Sequence, residues 1–141
     1  IAGSDGGIAK ALELIQPRNP LTVNLIGLFD GDKRNDLPKN VKWPTMCLVG
    51  EVSPEQLAKR VLESDSINLE HLLNRPRERL VAAFGSVDGQ NHHDWLVGLC
   101  ASLQISLEEL FRRVAEGLRI EDPNSVCNFV SELESKASGN G

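Results

Sequence analysis

From Leu21 to Phe29 the chain is a nearly continuous apolar run, and it stops abruptly at Asp30-Gly31-Asp32-Lys33-Arg34. No other feature narrows the possible folds so much. Strict alternation would mark a strand with one wet face, whereas an unbroken run of this length predicts a strand covered on both faces, as parallel sheets are. Parallel strands need long crossovers, usually helical, so the run commits its surroundings to an α/β layer. Residues 21–29 are therefore expected to form a central strand with Asp30 at its carboxyl edge. Open α/β sheets place their sites at that edge.

The flanks agree with this reading. Ile1-Ala2 reads as the end of a strand, as in a chain cut in mid-strand, and Gly3-Ser4-Asp5-Gly6-Gly7 as a glycine-rich strand-to-helix turn. Ile8, Ala11, Leu12 and Ile15 recur at helical spacing until Pro17. Met46-Cys47-Leu48-Val49 predicts a second, shorter strand. Ser53-Pro54-Glu55-Gln56 is a capping box with proline at the first helical position, and it opens a helix through Leu57, Val61 and Leu62.

The remainder reads as helical. Leu80, Val81 and Phe84 form one apolar face, and Trp95, Leu96, Leu99 and Leu103 another. Ser106-Leu107-Glu108-Glu109 is a second capping box, followed by Leu110, Phe111, Val114 and Leu118. Asp122-Pro123 starts a last helix with the stripe Val126, Phe129, Val130 and Leu133. Leu99, Leu103, Phe111, Val114 and Phe129 are expected in the core. The organisation expected is an α/β core over residues 1–75 and a helical C-terminal region over 76–141, with the transition near 64–76.

Charge and cysteine usage exclude several classes. With 20 Asp and Glu against 15 Lys and Arg the net charge is −5, which argues against a basic footprint for nucleic acid over the whole chain. A carboxylate metal site remains compatible with that balance. No apolar run approaches the roughly 18 residues of a membrane-spanning helix, and the N-terminus lacks the basic and apolar regions of a signal peptide. Cys47, Cys100 and Cys127 are odd in number and widely spaced. That argues against zinc sites and disulfide frameworks, and it fits core filling in a reducing cytosol.

The chemistry centres on Asp30 and Asp32. In an extended segment, residues i and i+2 point the same way, so the two carboxylates can share a hard cation, with Gly31 turning the backbone between them. Asp-Gly is also an ordinary turn dipeptide. Lys33 and Arg34 can meet a phosphate or simply solvate the loop. His92 and His93 diverge by about 100° on a helix, so at most one of them faces a site. Asn91 suits an N-cap and Asp94 the positive end of that helix. His71 reads as a surface or structural histidine. The Gly3–Gly7 segment lacks the Lys-Ser/Thr of a P-loop and reads as a tight turn, not an ATP site.

A strand ending in Asp-x-Asp after a glycine-rich turn resembles the TOPRIM domain of topoisomerases, primases and OLD-family nucleases. The segment Trp43-Pro44-Thr45-Met46-Cys47-Leu48-Val49-Gly50-Glu51-Val52-Ser53-Pro54-Glu55 is similar to the short strand, Gly-acid turn and Pro-Glu helix of OLD-like ATP-dependent nucleases. Asn91-His92-His93-Asp94-Trp95-Leu96 resembles a downstream His-Asp-Trp segment of the same group. The resemblance runs over residues 1 to about 120. It implies a partial TOPRIM (Rossmann-like) parallel sheet with a helical C-terminal extension, and DNA cleavage with Mg2+ or Mn2+. The metal set it implies is Asp30, Asp32 and Glu51. It gives Glu55, His93 and Asp94 catalytic roles and assigns DNA contacts to Lys33 and Arg34. Gly6 or Gly7 matches the family's turn glycine. The family also uses a glutamate on a strand before that turn and a late basic residue, where this sequence offers His92 and His93. ATP would be handled by an N-terminal ABC-type ATPase domain, in a cytoplasmic homo-oligomer with a possible defence-system partner against phage.

Two alternatives are open at this point. A catalytically degenerate TOPRIM module would serve docking or assembly. A haloacid-dehalogenase-type phosphatase also places Asp-x-Asp after an apolar strand, but it expects Thr or Val two residues after the second aspartate, where this chain has Arg34.

Overall fold

The computed structural model describes residues 5–15 and 25–139. Its elements are α1 (Asp5–Leu14), β1 (Gly27–Phe29), a 3-10 turn (Gly31–Lys33), β2 (Thr45–Cys47), α2 (Pro54–Leu62), α3 (Leu69–Leu73), α4 (Arg77–Ser86), α5 (His92–Leu103), α6 (Leu107–Glu121) and α7 (Pro123–Ala137). The architecture is mixed α/β and mostly helical. Among the described residues the sheet is two-stranded, with β1 parallel to β2. The chain falls into two compact units, residues 1–54 with 125–141, and residues 55–124. Nearly all of α2 thus packs within the second unit and most of α7 within the first. No helix among the described residues is long and apolar enough to cross a membrane.

In the first unit the strands pair in the register Gly27 with Thr45, Leu28 with Met46 and Phe29 with Cys47. The ladder continues at both ends, where Gly27 N–H donates to Pro44 C=O at 2.9 Å and Leu48 N–H to Phe29 C=O at 2.8 Å. Leu12, Phe29, Trp43 and Cys47 form a small core, with Ile8, Leu25, Leu37 and Val41 packed against it. Trp43 anchors this core in two ways: its ring is buried, and its Nε1–H donates to the Ile15 carbonyl. The Lys136 ammonium of α7 donates to Thr45 C=O at 2.6 Å, which ties the last helix to β2.

Several expectations need correction here. The strand expected over Leu21–Phe29 is realised only as Gly27–Phe29, and residues 21–24 lie outside the described residues. It is not covered on both faces, since Leu28 is 38% exposed while Gly27 and Phe29 are buried. Apolar content reports burial averaged over a segment, whereas strand length follows the partner, and β2 spans only Thr45–Cys47. Asp5, Gly6 and Gly7 belong to α1, not to a turn, and Gly3 and Ser4 lie outside the described residues. Ile15, expected on the apolar stripe of α1, is 50% exposed just past its end.

The second unit is a helical cluster built around α5. Trp95, Leu96, Leu99 and Leu103 are all buried, as their spacing predicts. They meet Ala58, Val61 and Leu62 of α2, Leu72 and Leu73 of α3, Leu80 and Ala83 of α4, and Leu110 and Val114 of α6. The Trp95 ring takes Phe84 edge-on at 5.5 Å, and the Lys59 ammonium lies 5.4 Å from its centroid. Gly117 is buried because a Cβ there would lie 2.9 Å from Val61 Cγ1, so α6 approaches α2 closely. Ser106 caps α6, its hydroxyl accepting from Glu109 N–H at 3.1 Å. The Glu109 carboxylate turns instead to Arg112 and Arg113, and the Arg112 hydrogen bond is the main cause holding its pKa down at about 2.

Here too the apolar faces differ in detail from the pattern. Val81 is 65% exposed and Phe84 is half-buried, while Ala83 and Val87 are the residues that α4 and its C-cap bury. Phe111 is half-buried at the edge of the core. Phe129 is half-buried as well and belongs to the first unit, not the helical core. Cys47 and Cys100 are buried as core filler, and burial pushes the Cys100 thiol pKa up, but Cys127 is exposed.

The packing makes two predictions. Leu99→Ala should destabilise the protein by about 2–5 kcal/mol in urea unfolding, because it empties a fully enclosed site, whereas Val81→Ala should stay within about 0.5 kcal/mol. A thiol reagent applied to the native protein should label Cys127 rapidly, with Cys47 and Cys100 reacting only on unfolding.

Candidate functional site

The parallel pairing of β1 and β2 brings two loops to one edge of the sheet. Asp30 follows β1 directly and is extended, with φ −63° and ψ 153°. The Leu48–Val52 loop follows β2. At Gly31 the first loop presses against the second. A Cβ on Gly31 would stand 2.7 Å from Gly50 O and 2.9 Å from Val52 O, so backbone meets backbone and only glycine fits. Gly50 itself has φ 90°, a conformation that L side chains rarely adopt. Arg34 completes the contact, its Nη2 donating to Leu48 C=O and Gly50 C=O, both at 3.1 Å.

This geometry corrects the reading of the two aspartates. Sharing a cation was argued from an extended Asp30-Gly31-Asp32 segment, but the chain tightens into a 3-10 turn at Gly31–Lys33. Successive residues of such a turn rotate by about 120°, so Asp30 and Asp32 do not repeat on one side as in a strand. Asp32 is exposed and lies 3.8 Å from the Lys33 ammonium. Glu51 is exposed on the neighbouring loop.

The expected DNA contacts are also redistributed. Arg34 spends its Nη2 on the β2 loop and so acts first as a structural clasp, while Lys33 stands beside Asp32. The remaining candidates, Glu55, His93 and Asp94, belong to the other unit. Glu55 is in the first turn of α2 and half-buried. His93 and Asp94 open α5, where the Asn91 side chain caps both of their N–H groups at 3.0 Å and donates back to the Asp94 carboxylate. Asn91, Asp94 and His71 thus have the local roles their types suggest, the last on the exposed face of α3.

Asp30, Asp32 and Glu51 are all hard oxygen donors and suit Mg2+ or Mn2+ in kind. They fall short in number. Among the described residues no three His, Cys, Asp or Glu side chains gather closely enough to hold an ion.

Sequence reasoning missed the contact between Gly31 and Gly50. Asp-Gly-Asp and Val-Gly-Glu each look like a local turn, and nothing in either signals that the two glycines meet. No family model matches the chain, and neither a curated protein nor a solved structure does.

The contact predicts an asymmetry between neighbours. Gly31→Ala should lower stability by about 1–3 kcal/mol, because two carbonyls must move to admit a methyl group. Asp32→Asn should stay within about 0.5 kcal/mol, since it removes only an exposed ion pair. Urea denaturation of the two variants checks this.

Proposed function

We propose that this chain forms the partial TOPRIM portion of an OLD-like nuclease, which hydrolyses DNA phosphodiesters with Mg2+ or Mn2+ beside an N-terminal ABC-type ATPase. The observation that carries the reading is the edge itself: parallel β1 and β2 release Asp30 and Glu51 from their carboxyl ends, and the close approach of Gly31 to Gly50 holds the two loops together. That is the position where α/β sheets bind substrates. The divalent ion, when bound, supplies charge neutralisation on the phosphate and an activated water.

In this reading Asp30, Asp32 and Glu51 give oxygen ligands, and the glutamate that the family carries before its glycine-rich turn would complete the set. Lys33 meets the phosphate. Arg34 is a positioning residue, holding the Leu48–Gly50 loop through two carbonyls. Glu55, His93 and Asp94 retain the catalytic roles that the resemblance gives them, in the unit formed by residues 55–124. The assembly is a cytoplasmic homo-oligomer in anti-phage defence, in which ATP is hydrolysed away from this chain.

A second reading, a degenerate TOPRIM module for docking, is favoured by one observation. Arg34 is bound to loop carbonyls and Asp32 stands beside Lys33, so this edge keeps part of its charge engaged within itself.

Nicking of supercoiled plasmid by the intact protein separates the two. With Mg2+ or Mn2+ the wild type should nick, and Asp30→Asn and Asp32→Asn should each reduce nicking to background while ATP hydrolysis continues. Wild-type protein inert with both metals would favour the docking module. Cleavage surviving in both variants would place the nuclease site elsewhere.

A further inference from the structure

Beside the clasp of Arg34 lies a cavity of about 180 Å3 that the metal chemistry does not use. One side is lined by residues 47–50, and the other by α7, through Asn128, Phe129 and Glu132. All of these belong to the unit formed by residues 1–54 and 125–141. We infer that this cavity seats one unstacked, amino-bearing nucleobase of a single DNA strand: adenine, cytosine or guanine. The inference rests on the nuclease reading of the adjoining edge and adds to it the form of DNA that is held there.

Size and chemistry select the ligand. Pockets for whole small molecules run to about 300–1,000 Å3, so this one admits a single ring system and not a complete nucleotide. A lone phosphate fits poorly, because Glu132 faces the space and Arg34, the one cation on the lining, gives its Nη2 to two carbonyls. A metal ion fits no better, since Arg34 repels it and Glu132 is the single carboxylate on the lining. A neutral planar ring meets what the wall offers. Phe129 gives an aromatic face, and Asn128 gives a donor and an acceptor, its amide having no hydrogen bond among the described residues. Glu132 lies one turn along α7 on the same side as Asn128.

The balance of polar groups sets the preference. Glu132 only accepts, and Lys136 engages its Oε1, so a ligand meeting Oε2 must bring N–H groups. Adenine, cytosine and guanine each carry an exocyclic amine beside a ring acceptor, which Asn128 and Glu132 can read together. Thymine presents a carbonyl at the corresponding position, opposite the Glu132 carboxylate. A base stacked in a duplex cannot enter, so the strand must be single or frayed at this point.

The test is equilibrium binding of short fluorescent oligo(dA), oligo(dC) and oligo(dT) to the intact protein in EDTA, where no cleavage can occur. Oligo(dA) and oligo(dC) should bind more tightly than oligo(dT). Phe129→Leu keeps apolar volume but removes the aromatic face, and it should weaken oligo(dA) and oligo(dC) by about 5- to 150-fold. Glu132→Gln, at an exposed position, should narrow the discrimination against oligo(dT), a change that general damage to the fold would not produce. Equal binding of all three oligonucleotides by the wild type, or unchanged affinity in Phe129→Leu, would overturn the inference. Binding in EDTA does not need the metal edge. Failure here therefore leaves the nicking result for Asp30→Asn standing, and failure of that result leaves this one standing.

Discussion

The contact of Gly31 with the carbonyls of Gly50 and Val52 is the constraint on which the first unit depends. Strands β1 and β2 share only three paired positions, too few to fix a parallel register firmly. Parallel strands usually gain support from a crossover helix, yet residues 30–44 contain no helix beyond the 3-10 turn. The register is held instead by what lies beyond the strands. Trp43 fills the core just before β2, Gly31 docks just after β1, and Arg34 crosses to the β2 loop. The ladder ends at Leu48 N–H, and the two carbonyls that Arg34 reaches, Leu48 and Gly50, lie just past that end. Carbonyls past the end of a ladder need other partners, and here a guanidinium satisfies two of them.

Much of the fold was legible in the sequence because most of its signals are local. The capping box at Ser53-Pro54 marks the start of α2, and Ser106 and Asp122-Pro123 those of α6 and α7. The spacing of Trp95, Leu96, Leu99 and Leu103 picks out the buried face of α5 because a helix repeats geometrically whatever it packs against. What resisted reading was non-local. The sequence shows that Leu21–Phe29 is apolar, but not that the partner strand ends at Cys47 and leaves Leu28 open. Val81 and Phe129 have the right spacing for a core, but a short apolar face cannot say which neighbour arrives. In α4 the smaller Ala83 received the contact.

The candidate site divides along the same line. That Asp30 stands at the carboxyl edge of a strand was readable, because an apolar run ending in charge locates the edge. That the chain then coils into a 3-10 turn was not, and the turn decides where Asp32 goes. The identity of Gly31 carried the information in a form that one sequence does not disclose. A glycine required for its conformation and a glycine required for a close approach look alike until the opposing backbone is known, and Gly31 is the second kind.

The two clusters of candidate residues differ in how much of their polarity is already engaged. At the head of α5, Asn91 accepts from two backbone N–H groups and donates to Asp94, whose negative charge also favours the helix N-terminus. At the sheet edge, the strongest engagement falls on Arg34, which binds backbone, while Asp32 and Glu51 stand exposed with no hydrogen bond that fixes them. The edge therefore combines backbone geometry fixed by close contact with carboxylates that the fold leaves exposed. Gly31 fixes that geometry through its close approach, and Arg34 through the two carbonyls it holds.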